Sequence, residues 1–294
     1  MASEQTAGEY IRHHLQHLQY NFALEPVQQT KLVDFSIFNA DSIFFSVVLG
    51  AFICFVLWIA ARRMTSGVPG RFQAAIEILV EFVDKQARGL IHNEQSLKVA
   101  SPVALTVFLW IFMLNAMDML PVDALPWLWG KFYEAAGHDP HHAYLRVVPS
   151  ADLSAALGMS ISVFFLSIYY SIKIKGLGGW GHELISAPFG DNIAIAPINV
   201  IMQIIEYGSK TISHGMRLFG NMFAGELVFM LIALLGGAWA GLGSFTNGLH
   251  IGLGLAHLAA GSIWAIFHIL VITLQAFIFM MLTLIYLSQA HNKH

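Results

Sequence analysis

Charge is scarce in this sequence. Asp, Glu, Lys and Arg make up 11% of its 294 residues, against roughly 25% in an ordinary soluble domain. With 56% hydrophobic residues and a mean hydropathy of +0.64, too little polar surface remains to cover a water-soluble core. A net charge of −3 and a pI near 6.5 leave no basic surface for nucleic acid. Cysteine is nearly absent too. Cys54 alone forms no intrachain disulfide and no thiolate metal site, and its place in an apolar run predicts a small buried hydrophobe. There is no glycine-rich phosphate loop and no nucleophile elbow, so no motif for direct nucleotide binding. No internal repeat and no low-complexity tract divides the chain, which reads as a single integral membrane domain over 1–294.

What is abundant is the long apolar run. About 20 such residues span a hydrocarbon core about 30 Å thick. Runs cover Ser42 to Ala61, Val99 to Leu120 and Leu153 to Ile172, the first closed by Arg62 and Arg63 and the third by Lys173 and Lys175. Two longer ones follow, Ile193 to Trp239 and Ile251 to Leu287, joined by a turn containing Gly241, Gly243 and Gly248. The expected fold is all-α, with about five membrane helices. The last two (193–287) exceed a perpendicular crossing and predict a long, strongly tilted hairpin. Arg71 to Leu90 alternates apolar Phe72, Ile76, Leu79, Val80 and Val83 with charged residues at helical spacing, the pattern of an interfacial amphipathic helix. Some 40 mostly polar residues precede the first run, later than a signal-peptide core begins, so a cleaved signal is not expected.

Lysine and arginine set the orientation. Nine fall on the side of segment 62–98, the third-span exit and the C-terminus, against four on the side of segment 1–41. The positive-inside rule therefore predicts an outer N-terminus and a cytoplasmic C-terminus.

An ionisable group at bilayer depth costs at least about 2.5 kcal/mol and is a functional candidate by default. The fourth segment holds Gln203, Glu206, Lys210, His214, Arg217, Asn221 and Glu226; the fifth holds His257, His268 and Gln275. At about 100° per residue, Lys210, Arg217 and Ala224 form one stripe, with Gln203, His214 and Asn221 within about 60° of it. Glu226 turns to the opposite face. Gly215, Gly220, Ala224 and Gly225 remove bulk, so another helix is expected to approach the arginine closely. Arginine stays cationic in essentially any surroundings, so it supplies a fixed field rather than a proton relay. No carboxylate shares its stripe at short range, which points to one on a partner protein. Lys210 fits either interfacial snorkelling or a functional role, and His214 fits a helix–helix hydrogen bond equally well. Gln203 and Gln275 fit interhelical hydrogen bonding or a channel lining. His13, His14 and His17, like His138, His141 and His142, lie outside the spans and read as exposed polar loop residues. Asp118 and Asp123, around Pro121, either attract cations at an outer mouth or cap loops.

The run Gly215-Met-Arg-Leu-Phe-Gly-Asn-Met-Phe-Ala-Gly-Glu226 resembles the signature of subunit a of F-type ATP synthases. Trp264 to Phe279 is similar to that family's last helix, and Asn115 to Asp123 and Leu145 to Asp152 match its proteobacterial branch. The resemblance implies a non-catalytic proton channel without cofactors, in the bacterial inner membrane. Its partners would be a rotating ring of c subunits, the b subunits of the peripheral stalk and the rest of the synthase. It implies that Arg217 faces the ring as the essential stator charge, with Gln275 packed near it. Glu226, His268, Asn221 and Asp118 would serve the periplasmic half-channel, and Glu206, Ser209 and Lys210 the cytoplasmic one. Relatives often carry a glutamate two turns beyond Lys210, where this chain has Gln203; Glu206 lies one turn nearer Arg217. A proton rather than sodium is favoured by His268, since an imidazole titrates near neutrality. Two rivals are a self-contained transporter, for which repeats and broken helices are missing, and a membrane hydrolase built on Ser213 and His214.

Overall fold

The structure, a computed structural model, describes residues 6–23, 25–29, 34–139, 143–186, 188–190, 195–241 and 248–290. Helix α1 (Ala7–His14) starts on a reciprocal cap, Thr6 and Glu9 each accepting the other's backbone N–H. A short antiparallel pair follows, β1 (Gln19–Asn21) against β2 (Ile37–Asn39). Then come α2 (Ala40–Arg63), α3 (Arg71–Leu90), α4 (Glu94–Ala116), α5 (Ala124–Ala135), α6 (Leu153–Ser186), α7 (Ala196–Gly241) and α8 (Gly248–Gln289). Five of these helices are long and apolar enough to cross a membrane, so the chain is a multi-pass, all-α membrane protein. Helix α3 has the bounds that its amphipathic pattern predicts.

Several differences have local causes. Lys173 and Lys175 do not end the third span. Helix α6 continues to Ser186 across a break at Gly176, whose φ of 75° and ψ of 164° suit glycine almost alone. Beyond the break, Glu183 reaches back to pair with Lys175 at 2.7 Å. Helix α5, within a segment expected to be a loop, begins just after Asp123. Cys54 is exposed rather than buried, because α2 turns much of its apolar surface outward: Phe52, Phe55 and Trp58 are each more than half exposed. Among the expected turn residues, Gly243 lies outside the described residues, as do His141 and His142.

The chain forms two compact units. One comprises residues 1–50, 112–155 and 220–274; the other comprises 51–111, 156–219 and 275–294. In the first, α7 and α8 run antiparallel, with His257 Nδ1 donating to the Ile232 carbonyl at 3.0 Å. In the second they do likewise, with the His214 ring centred 3.8 Å from that of Phe279 and tilted 52° to it. At about 1.5 Å per residue, the 46 residues of α7 extend about 69 Å, more than twice the hydrocarbon thickness.

The cores differ in chemistry. Among the described residues every buried Asp, Glu and Arg (Asp41, Asp118, Arg146, Asp152 and Glu226) belongs to the first unit. The second buries apolar residues such as Ile111, Leu218, Met280 and Leu284, with a few neutral polar groups.

Candidate functional site

Glu226 lies on the buried side of α7, as its nine-residue spacing from exposed Arg217 requires. Its partner is Arg146, from the stretch between α5 and α6. Arg146 Nη2 donates to Glu226 Oε2 at 2.5 Å, and Nε reaches both carboxylate oxygens at 3.2 and 3.3 Å. Both side chains are about nine-tenths buried or more. An ion pair so withdrawn from water holds only when further hydrogen bonds satisfy the charges, and here they do. Arg146 Nη1 lies 3.0 Å from His17 Nε2, and His17 Nδ1 lies 3.3 Å from Asp41 Oδ1. Asp41 Oδ2 accepts the backbone N–H groups of Leu18 and of Arg146 itself, each at 3.0 Å. A carboxylate, an arginine, a histidine and a second carboxylate thus form one connected row.

Beside that row stand Asp118 and His268, both buried, with His268 Nε2 2.7 Å from Asp118 Oδ2. Neither atom forms an aligned hydrogen bond, so the two groups meet at short range without a bonded partner. Gly225 makes room for them. A Cβ there would overlap the His268 ring and come within 3.1 Å of Asp118 Oδ2. A small open cleft is lined by Asp118 and Glu226 together with His14 and Pro121. His14 Nε2 lies 3.0 Å from Asp123 Oδ1, to which the Tyr10 hydroxyl also donates at 2.9 Å. Burial and then this carboxylate push the Tyr10 phenol up from its ordinary range. His14 and His17 are therefore not exposed loop residues. Asp123 receives α1, and Asp118 is buried in the cleft wall rather than exposed at its rim.

Arg217 is exposed on α7, and among the described residues no carboxylate pairs with it. Its stripe is open: Ser209, Ser213, Gly220, Asn221 and Ala224 are exposed as well. The small residues divide between two faces. A Cβ on Gly220 would meet nothing within 4 Å, whereas one on Gly215 would come 2.9 Å from Leu157 Cδ2 and 3.1 Å from the Ala156 carbonyl of α6. Gly215 and Gly225 therefore admit this chain's own residues, and only Gly220 and Ala224 flank the arginine on the open face.

His214 departs from its expected place. Sixty degrees from the stripe is far enough to turn it inward, and it is buried against Phe279 and Tyr286 with neither ring nitrogen hydrogen-bonded. It makes no helix–helix hydrogen bond. Ser213 is exposed while His214 is buried, so the two do not form a nucleophile–base pair. Lys210 pairs with Glu206 at 2.6 Å and reaches the Gln289 side chain at 3.2 Å. Gln203 is half-buried and Gln275 is buried.

Sequence reasoning missed Arg146, His17 and Asp41 because all three lie at or outside span ends, where charge is cheap. One signal was present: Arg146 interrupts the apolar run Leu145, Val147, Val148.

A family model described as ATP synthase A chain matches residues 43–288. The chain is 63% identical to the ATP synthase subunit a of Paracidovorax citrulli (strain AAC00-1) and 61% identical to that of Acidovorax sp. (strain JS42). It is 56% identical to the ATP synthase subunit a of Verminephrobacter eiseniae (strain EF01-2). Each alignment covers 98% of this chain and 97% of the relative.

Proposed function

Because the chain belongs to the ATP synthase A chain family, we propose that it is the stator of a rotary proton path, working against a ring of c subunits that each carry one membrane carboxylate. The observation that carries this reading is Arg217. It is a permanent cation on the exposed face of a membrane helix, flanked by Gly220 and Ala224, with no acidic partner among the described residues. Leaving such a charge unpaired in lipid is costly, and a carboxylate on an adjacent helix removes that cost.

The remaining groups supply two water paths. Protons enter from the periplasm past Asp118, His268, Asn221 and Glu226 and neutralise a ring carboxylate. Neutralisation removes most of the penalty for placing that carboxylate in lipid, so the ring can turn. After nearly a full turn the carboxylate reaches the second path, served by Glu206, Ser209, Lys210 and Gln203, and releases its proton to the cytoplasm. Arg217, with Gln275 near it, stabilises the ionised carboxylate between the paths and repels any proton crossing directly. Each charge moved yields about 2.3 kcal/mol per 100 mV, which drives rotation. Nucleotide chemistry takes place elsewhere in the complex. The subunit sits in the inner membrane, N-terminus periplasmic and C-terminus cytoplasmic, beside the b subunits.

Cysteine cross-linking in the assembled complex, with Cys54 replaced by serine, tests the ring-facing assignment. Ala224→Cys should cross-link to a cysteine near the carboxylate of subunit c, whereas Met222→Cys, on the buried face, should not. Equal yields from both positions, or no cross-link from Ala224→Cys in an intact complex, would refute it.

A further inference from the structure

One group in the buried row is unused by this account. Arginine only donates hydrogen bonds, so the 3.0 Å approach of Arg146 Nη1 requires His17 Nε2 to be the acceptor. The imidazole is then neutral, its single proton on Nδ1 and directed at Asp41 Oδ1. His17 thereby connects Arg146 to a second carboxylate. Asp41 is fully buried and holds the Arg146 backbone as well, so the link has a rigid base. The His17 side chain is 12% exposed, enough for water to reach it.

The arrangement matters when Glu226 takes up a proton, an event that rests on the function proposed above. Arg146 then loses its principal anion while remaining buried, and a buried cation without a partner is strongly destabilising. We propose that His17 is a positioning residue for proton transfer at Glu226: neutral, it shares Arg146 between Glu226 and Asp41, so the guanidinium stays in place while Glu226 changes charge. A protonated His17 cannot do this. It satisfies Asp41 by itself, presents an N–H to the guanidinium and drives Arg146 wholly onto Glu226, holding that carboxylate ionised. The charged groups around His17 are Asp41 from α2, Arg146 from the α5–α6 connection and Glu226 from α7, with Asp118 facing the latter two. Acid in the periplasmic compartment therefore opposes transport through this residue, even as it supplies more protons.

The test uses the purified holoenzyme in liposomes, with ATP synthesis driven by a fixed potassium diffusion potential. The pH of the compartment facing the N-terminus is varied from about 8 to about 5, the range in which an imidazole changes charge. Subunit content is checked for every variant. His17→Ala should lower the rate about tenfold at every pH, the equivalent of one hydrogen bond to a charged group. His17→Gln keeps an acceptor that does not titrate; it should recover most of that loss and remain active at the acid end, where wild type declines. A wild-type rate in His17→Ala, or an acid decline in His17→Gln matching wild type, would overturn the proposal. If His17→Ala does not assemble, the His17→Gln profile decides alone. Absence of potential-driven synthesis in intact wild-type complex would instead refute the stator function, so the two failures are distinguishable.

Discussion

At the residue scale two arginines have opposite surroundings. Arg217 is exposed and has no carboxylate partner among the described residues; Arg146 is buried and held by Glu226 and His17. Arg217→Lys should abolish coupled pumping although charge is formally conserved, because a lysine can lose its proton when desolvated and lacks the planar fork. Proton pumping by assembled membranes checks this. Arg146→Leu should act differently, lowering the complex's resistance to detergent or heat. It leaves Glu226 buried and uncompensated, a defect of about 3–5 kcal/mol. Arg146→Leu combined with Glu226→Leu should recover much of that stability without recovering transport. If the double variant is no more stable than the single one, the pair is not an ion pair in the assembled protein. Arg217 was legible in the sequence because a charge inside a long apolar run has no cheap explanation. Arg146 left only the break it makes in an apolar run, because its cost comes from a tertiary enclosure by His17, Asp41 of α2 and Glu226 of α7.

Helix α7 has one open and one packed face, and its glycines separate them. Gly225→Ala should reduce pumping by about tenfold or more, because a Cβ would collide with His268 and move it off Asp118, and small misplacements of reacting groups carry costs of that order. Gly220→Ala meets nothing within 4 Å among the described residues, so the chain should fold normally and, on the proposed function, only its fit to the ring should suffer. Comparing assembly with pumping in the two variants tests the division; equal behaviour would argue against it. In α6, Gly176→Ala forces a side chain into a glycine-only conformation. It should destabilise the bend by about 1–3 kcal/mol, visible as faster proteolysis near 176–186. Helix positions and the amphipathic α3 followed from periodicity and run length, which are local properties. The continuation of α6 past Lys175 did not, because Glu183 neutralises that lysine only once the chain has bent at Gly176.

On the scale of the whole molecule, charge is distributed unevenly. The unit containing residues 1–50, 112–155 and 220–274 holds every Asp, Glu and Arg that is buried among the described residues, while the other keeps Glu206 and Lys210 partly exposed. On the proposed function, that division sets one enclosed path beside one open to water. The sequence pointed to Glu206 and Lys210 and to Asp118 and Glu226, but not to Arg146 or Asp41 nor to the unequal burial, since burial is a property of the assembled helices.

The most direct test of the central claim is ATP-driven acidification of inverted membrane vesicles carrying Arg217→Ala beside wild type, with assembly verified by affinity pull-down. The account predicts a complex that assembles fully and does not pump. An assembled Arg217→Ala complex that acidifies vesicles at the wild-type rate would contradict it, because the fixed charge between the two paths would then be dispensable.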